Sequence, residues 1–200
     1  MASWKFNQRT LEETLAMEEW YTPKTLVDSL LLAGDQLFEA AAGSGKFLFD
    51  LDPASSRDEN VIPLSRRIFT REDDGLKQEW PKDDYIFLNP PFTNGMDKNS
   101  PLRQFIRKAV EHNNGVILCL DKPNVTVTGL LREKCSCMIT FTHKLAYNCP
   151  FGKRISKPLY YSIIYGMGEK SINHLRLFCK IYSEVEPKMG AQFMLHETIK

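Results

Sequence analysis

The apolar residues of the chain form two kinds of segment, short runs typical of buried strands and longer stretches with helical spacing. The runs predict strands over residues 47–52, 68–69, 85–88, 115–120, 137–142, 158–166 and 175–182. Helical spacing predicts helices over residues 23–32, 101–110 and 128–133. Strand and helix signals alternate, which favours an α/β fold with a doubly wound, mostly parallel, Rossmann-like sheet.

The composition fits one compact domain, because 42% of the 200 residues are hydrophobic. We expect that domain over residues 20–182, with an N-terminal arm over residues 1–19 and a C-terminal tail over residues 183–200. The sequence has no run of transmembrane length, no signal-peptide layout, and five cysteines without a disulfide framework. These features predict a cytoplasmic protein with no membrane partner, and they leave the oligomeric state open.

The predicted strand over residues 85–88 ends in a stiff tetrapeptide, Asn89, Pro90, Pro91 and Phe92. Each proline fixes its own φ and restricts the residue before it, so this backbone is rigid before any ligand binds. The Asn89 side-chain oxygen and the Pro90 carbonyl can accept both N–H groups of an exocyclic amine, and Phe92 offers a face for stacking a base. An ordinary strand-ending turn is the alternative interpretation.

The tetrapeptide resembles the (Asp/Asn)-Pro-Pro-aromatic motif of amino-group methyltransferases that use S-adenosylmethionine. The wider order of motifs resembles the phage-type DNA N-6-adenine methyltransferases (Dam-like), on residues 49–54, 69–76, Trp80 and 89–92. This resemblance implies a Rossmann-like methyltransferase fold and S-adenosylmethionine as the cofactor. It also implies DNA as the partner, with methyl transfer to the N6 amino group of a flipped adenine.

Asp52, at the end of a predicted strand, is the first candidate for binding the cofactor. Ligands of doubly wound sheets bind beyond the carboxyl ends of strands. The Asp52 carboxylate would bind the charged amino group of S-adenosylmethionine, with Pro53 shaping the turn and Ala54 offering a backbone contact. A surface Asp-Pro turn is the alternative.

Two further cofactor contacts come from the resemblance. Thr22 and Pro23 start the first predicted helix, where the family binds the cofactor beside a Thr-Pro pair, although a plain N-cap equally explains Thr22. In the acidic run that follows residues 68–69, the family favours Asp74 and then Asp73 for binding the nucleoside part. A solvated Asp-Asp-Gly turn explains the same residues.

The glycine-containing run Gly43-Ser44-Gly45-Lys46 is a second candidate for the cofactor loop. It is not a phosphate-binding loop, because Ala40 replaces the required glycine and Phe47 replaces the Ser or Thr that binds magnesium. Paired glycines do allow close backbone approach to a ligand. The sequence alone does not decide between this loop and the turn at Asp52.

The net charge of +1 predicts that any DNA contact depends on a local basic surface. The candidates are the loop over residues 144–157, with Lys144 and Tyr147, and the polar face of the helix over residues 101–110. That face carries Arg103, Arg107 and Lys108. The cysteines near His143 lack zinc-finger spacing, so we expect no metal.

Two other functions fit parts of this pattern. A protein glutamine amide methyltransferase uses the same geometry around a planar amino group, but its glycine loop would be followed by a helix. A non-catalytic DNA-binding relative would keep the fold without binding S-adenosylmethionine.

Overall fold

The computed structural model describes residues 21–38, 48–55, 65–91, 99–122, 126–148, 155–156 and 160–196. The predicted N-terminal arm, the glycine run from Gly43 to Lys46 and Phe92 lie outside these residues. None of the described helices is both long enough and apolar enough to cross a membrane.

Most of the described strands belong to one sheet. The strands are β1 Phe49–Asp52, β2 Ser65–Ile68, β3 Ile86–Leu88, β4 Gly115–Leu120, β5 Cys137–Thr140, β6 Tyr147–Asn148, β7 Ile155–Ser156, β8 Ser162–Met167 and β9 Gln192–Leu195. Seven of them form a sheet in the order β2-β1-β3-β4-β8-β5-β9, and β6 pairs with β7 separately. The α/β class is therefore confirmed, and the architecture is compatible with a methyltransferase-like fold.

The prediction of a mostly parallel sheet is wrong, because the sheet is mixed. β2, β1, β3 and β4 pair in parallel, whereas β8 is antiparallel to β4 and β5, and β9 is antiparallel to β5. Every residue of β4 and β8 is buried. A strand that is buried on both faces has the same apolar composition in either direction, so the sequence pattern does not reveal which way it runs.

Four helices cover the sheet within the described residues, namely α1 Lys24–Phe38, α2 Pro101–His112, α3 Thr126–Lys134 and α4 Glu169–Val185. The three predicted helices are confirmed, and α1 is longer than expected. It continues through Gly34, where a Cβ atom would lie 2.0 Å from the side chain of Leu48. The glycine therefore allows the chain before β1 to pack directly against the helix.

The prediction of a strand over residues 175–182 is wrong, because this segment lies in α4. Its buried residues Leu175, Phe178 and Tyr182 recur at helical spacing, which the continuous apolar run concealed. The last described strand is instead β9, at residues that the sequence left in the tail, and it pairs with β5 at the edge of the sheet.

The two faces of the sheet carry separate cores. On one face α1 and α4 pack together, and their side chains Leu30 and Phe178 join Phe87 of β3. On the other face α2 and α3 cover the alternate residues of the same strands, including Ile86 and Ile117. Burial on both sides is the usual state of a sheet whose crossovers are helical.

A buried histidine connects α4, β3 and α1. The His174 Nε2 atom lies 3.0 Å from the carbonyl oxygen of Leu30, and Nδ1 lies 2.8 Å from the hydroxyl of Tyr85. The carbonyl can only accept, so Nε2 carries the proton and Nδ1 accepts from Tyr85. Burial lowers the pKa of His174 from 6.5 to about 4, so the ring is neutral near pH 7.

This lowered pKa predicts an acid-sensitive fold. The unfolded chain binds a proton at His174 more readily than the folded chain between pH 6.5 and about pH 4, so stability is lost as the pH falls through that window. Between pH 7 and pH 5 the wild type should lose on the order of 2 kcal/mol more than His174→Gln. Urea unfolding at both pH values measures this difference. The exposed control His143→Gln should keep the wild-type pH dependence, and equal losses in all three proteins would contradict the prediction.

Candidate functional site

Asp52 and Asn89 leave the sheet at the same edge. β1 and β3 are parallel neighbours with Leu51 opposite Ile86, Asp52 is the last residue of β1, and Asn89 directly follows β3. The spacing between strands and the rise per residue place their Cα atoms roughly 8 Å apart. This edge is where sheets of this class bind their ligands.

A pair of hydrogen bonds fixes the relative position of β1 and β3. The Asp50 backbone amide donates to the Tyr85 carbonyl at 2.8 Å, and the Tyr85 amide donates to Oδ2 of Asp50 at 2.9 Å. Asp50 therefore binds both backbone polar groups of the residue that precedes β3. The two strands therefore pair in a single register, and this register fixes the position of Asp52 relative to Asn89.

The Asp52 carboxylate closes a tight turn after β1. Its Oδ1 atom accepts a hydrogen bond from the Ala54 amide at 3.0 Å, and the Ser55 hydroxyl also donates to it. The Ser55 amide donates to the Phe69 carbonyl at 2.9 Å, which ties the turn to the end of β2. Burial raises the pKa of Asp52 to about 7, although these two hydrogen bonds to the carboxylate oppose the rise.

Thr22 contacts Asn89 across the site. The Asn89 Nδ2 atom donates to the Thr22 hydroxyl at 3.3 Å, so the amide plane is held from the start of α1. The prediction that Thr22 caps this helix is wrong by one residue. α1 begins at Lys24, and the Pro23 carbonyl accepts its first hydrogen bonds, from Leu26 and Val27. Pro23 thus takes the cap position, and the Thr22 hydroxyl binds Asn89.

The acidic turn over residues 71–78 uses both of its aspartates in local contacts. Oδ2 of Asp73 accepts from the Thr70 amide at 2.8 Å and from its hydroxyl at 2.7 Å. Asp74 has φ +52° and forms an ion pair with Lys77 at 2.8 Å, which lowers the pKa of the Asp74 carboxyl. The sequence identified the turn correctly, and its carboxylates stabilise its own conformation.

Gly75 packs this acidic turn against the turn at Asp52. A Cβ atom at Gly75 would lie 2.0 Å from the Pro53 carbonyl oxygen, which is far closer than van der Waals contact. The Gly75 carbonyl accepts a hydrogen bond from the indole Nε1 of Trp80 at 2.9 Å. The sequence indicated a turn at Gly75 but not this contact, because it joins residues that are distant along the chain.

The side chain of Lys108 binds the acidic turn. Helical periodicity predicted that Lys108 lies on a face of α2 that would meet DNA phosphates, together with Arg103 and Arg107. Its Nζ atom instead donates to the carbonyls of the acidic turn, at 2.8 Å for Leu76. Burial lowers the pKa of Lys108, whereas Arg107 on the same helix is exposed.

The predicted DNA-facing loop is described only in part. Tyr147 is buried and its hydroxyl lies 2.9 Å from the Ser162 hydroxyl, so it does not face DNA. Lys144 lies over the ring of Tyr161, which is 46% exposed, at 5.8 Å from the centroid. Tyr161 and Asp121 help to line a shallow cavity of about 420 Å³ beyond the ends of β4 and β5.

Within the described ranges, no group of His, Cys, Asp or Glu side chains is arranged to hold a metal ion. Cys135 and Cys137 are buried in the two cores, and burial raises the pKa of both thiols, to about 11 for Cys137. Both thiols are therefore protonated near neutral pH.

Substitution of Gly75 tests the packing of the two turns. Gly75→Ala places a methyl group against the Pro53 carbonyl, so we expect the free energy of unfolding to fall by about 1–3 kcal/mol. Gly129→Ala is the matched control, because a Cβ atom there meets nothing within 4 Å and the residue lies inside α3. That variant should gain about 0.5–1 kcal/mol in stability. Denaturant unfolding measures both, and shifts of the same sign would contradict the packing.

Comparison with known proteins identifies the family of the chain. The family described as DNA N-6-adenine-methyltransferase (Dam) matches the chain over residues 15–127. The chain is 32% identical over 81 residues to a DNA N-6-adenine-methyltransferase of Escherichia phage T1, a match that covers 39% of this chain and 30% of that relative. The chain thus spans about 30% of the length of this curated relative, and no solved structure matches it. The family match includes more than half of the chain and the whole of β1 to β4, so the chain belongs to the DNA N-6-adenine-methyltransferase (Dam) family.

Proposed function

We propose that this protein transfers a methyl group from S-adenosylmethionine to the exocyclic N6 amino group of adenine in DNA. The observation that supports this most directly is the contact between Thr22 and Asn89. It holds a motif amide at the edge of the sheet, one strand away from the half-buried carboxylate of Asp52. A family of DNA adenine methyltransferases supplies the substrate class.

The carboxylate of Asp52 fits the cationic amino group of the cofactor. Burial raises its pKa to about 7, and among the described residues the Ala54 amide and the Ser55 hydroxyl oppose that rise. No lysine or arginine of the described residues contributes to the pKa of Asp52. A half-buried carboxylate in this state gains most from a ligand that brings a positive charge.

The other residues that we assign to the cofactor lie on the neighbouring turns and at the start of α1. Pro53 and Ala54 form the turn beside it, and Thr22 with Pro23 lies at the start of α1 across the site. Asp74, with Asp73 beside it, lies on the turn that Gly75 packs against Pro53. In the proposal these acidic side chains accept hydrogen bonds from the ribose hydroxyls.

The reaction needs alignment and charge acceptance from the protein. S-adenosylmethionine would supply an electrophilic methyl group on a sulfonium sulfur, which leaves as a neutral thioether when the carbon–sulfur bond breaks, while the N6 nitrogen releases one proton to solvent. Asn89 and Pro90 accept hydrogen bonds from the adenine amino group, and this draws off the positive charge that grows on the nitrogen as it attacks. Phe92 stacks on the flipped base, which offsets an unpairing cost of about a few kcal/mol. No covalent enzyme intermediate is required.

Removal of the Asn89 amide tests the catalytic assignment. Asn89→Ala should lower kcat by about a hundredfold or more, because one transition-state acceptor is lost while the cofactor contacts remain. Asn89→Asp keeps an acceptor oxygen and should retain part of the activity. Transfer of radiolabelled methyl groups to adenine-containing DNA measures the rate, and calorimetry measures cofactor binding. Near-normal turnover in Asn89→Ala would rule out this role.

Phe92 receives a separate test. Phe92→Ala should lower turnover on DNA more than it weakens binding of S-adenosylmethionine, because the ring is assigned to the base. Equal losses in both measurements would show that the ring does not hold the base.

The same assays distinguish the two alternative functions. A protein glutamine amide methyltransferase would label a glutamine-containing peptide and not DNA, and a non-catalytic relative would bind no S-adenosylmethionine.

Asp52 makes the affinity for the cofactor depend on pH. A bound ammonium group stabilises the carboxylate, so binding below pH 7 releases a proton, and the affinity of the wild type should rise from pH 5.5 to pH 7. Asp52→Asn should bind more weakly and without this rise. Calorimetry in two buffers with different ionisation enthalpies measures the proton release, and a pH-independent wild-type affinity would contradict the assignment.

The same substitution should stabilise the protein without ligand. The pKa of Asp52 is about 7 in the folded state and near 3.8 in the unfolded state, so the wild type loses stability as the pH rises from about 4 to 7. Asp52→Asn lacks this loss, and its stability advantage should grow over that window and stay constant above it. Thermal unfolding across pH 4–8 measures the difference, and an advantage that shrinks with rising pH would contradict it.

A further inference from the structure

The ammonium group of Lys108 is surrounded by the carbonyls of the acidic turn over residues 71–78. Its Nζ atom donates to the Leu76 carbonyl at 2.8 Å, to the Gly75 carbonyl at 3.4 Å, and to the Gln78 carbonyl. An ammonium group has three N–H donors, and all three find acceptors in this one turn. A single side chain of α2 thus closes a turn that lies some 30 residues earlier in the chain.

The indole of Trp80 also contacts the ammonium group of Lys108. Nζ of Lys108 lies 4.8 Å from the centre of the Trp80 ring, at a distance typical of cation–π contacts. The Nε1 atom of Trp80 donates to the same Gly75 carbonyl that Lys108 binds. Trp80 also stacks against Phe105 of α2, with ring centroids 6.3 Å apart. Lys108, Trp80 and the turn therefore form one packed unit on α2.

The turn held by Lys108 carries the residues assigned to the cofactor. Asp73 and Asp74 immediately precede Gly75, and Gly75 lies against the carbonyl of Pro53 in the turn at Asp52. Lys77 is the main cause of the lowered pKa of Asp74, and the positive charge of Lys108 adds to that effect. Displacement of the Lys108 ammonium would free three carbonyls and loosen the contact with Pro53.

We infer that Lys108 is a positioning residue for the cofactor, which holds the turn over residues 71–78 in its S-adenosylmethionine-binding conformation. This inference rests on the proposed function, because it assigns the turn to that ligand. It separates Lys108 from Arg107, its exposed neighbour on α2, which remains available for DNA phosphates. Loss of Lys108 should weaken cofactor binding, whereas loss of Arg107 should weaken only DNA binding.

Three variants of the whole chain test this inference. Lys108→Met keeps the length of the side chain and removes its charge, and Lys108→Arg keeps a donor group that can reach the turn. Arg107→Met is the matched control on the same helix. For each protein, calorimetry measures the Kd for S-adenosylmethionine well below the melting temperature. Steady-state kinetics then separates the KM for the cofactor from the KM for DNA and from kcat.

We expect Lys108→Met to raise the Kd and KM for S-adenosylmethionine about tenfold, the equivalent of one lost charge-assisted hydrogen bond. Its KM for DNA and its kcat at saturating cofactor should stay within about twofold of the wild type, and Lys108→Arg should recover most of the affinity. Arg107→Met should bind the cofactor normally. Hydrogen exchange should show faster exchange of the amides at residues 75–78 in Lys108→Met only.

A lower melting temperature in Lys108→Met with an unchanged Kd for the cofactor would overturn the inference and leave the proposed function standing. A rise in the KM for DNA alone would also overturn it, because that result assigns Lys108 to the phosphate contacts. If the wild type binds no S-adenosylmethionine, the proposed function fails first, and the role of Lys108 in positioning the cofactor fails with it.

Discussion

The site depends on the pairing of β1 with β3. Asp50 binds both backbone polar groups of Tyr85, and the two strands then run in parallel with a single register. A slip of one residue would turn the alternating side chains of β1 to the opposite face. Asp52 would then lose its turn, and its distance from Asn89 would change by about 3 Å. The hydrogen bonds between Asp50 and Tyr85 thus determine the positions of Asp52 and Asn89 at the ends of the two strands.

The sequence predicted what depends on local pattern and missed what depends on distant contacts. The strand ends at Asp52 and Asn89 were identifiable because an apolar run leads to each residue and a proline follows it. The direction of β8 was not identifiable, since a fully buried strand has no polar face to indicate orientation. Lys108 was assigned to DNA because helical periodicity gives the face of a residue, whereas a long side chain can bend back along the surface to a partner elsewhere.

Several basic side chains that a charge count would assign to DNA are bound within the protein itself. Lys108 binds the acidic turn, Arg132 forms an ion pair with Asp121 at 2.9 Å, and Arg67 forms one with Asp84. The net charge of +1 therefore does not show which basic side chains are free to bind a ligand. The DNA contacts of the proposed function would then depend on the basic residues that these contacts leave exposed, such as Arg107 of α2.

The reversed strand β8 has a consequence for synthesis of the chain. The family match ends at residue 127, after β4, yet β4 is apolar on both faces and its free edge is covered only when β8 arrives at residues 162–167. β5 is made earlier than β8 but joins the sheet only through it. A nascent or truncated chain that stops between these strands exposes an apolar edge, the usual starting point of aggregation. The segment after the family match thus supplies the strand that covers this edge of the matched part.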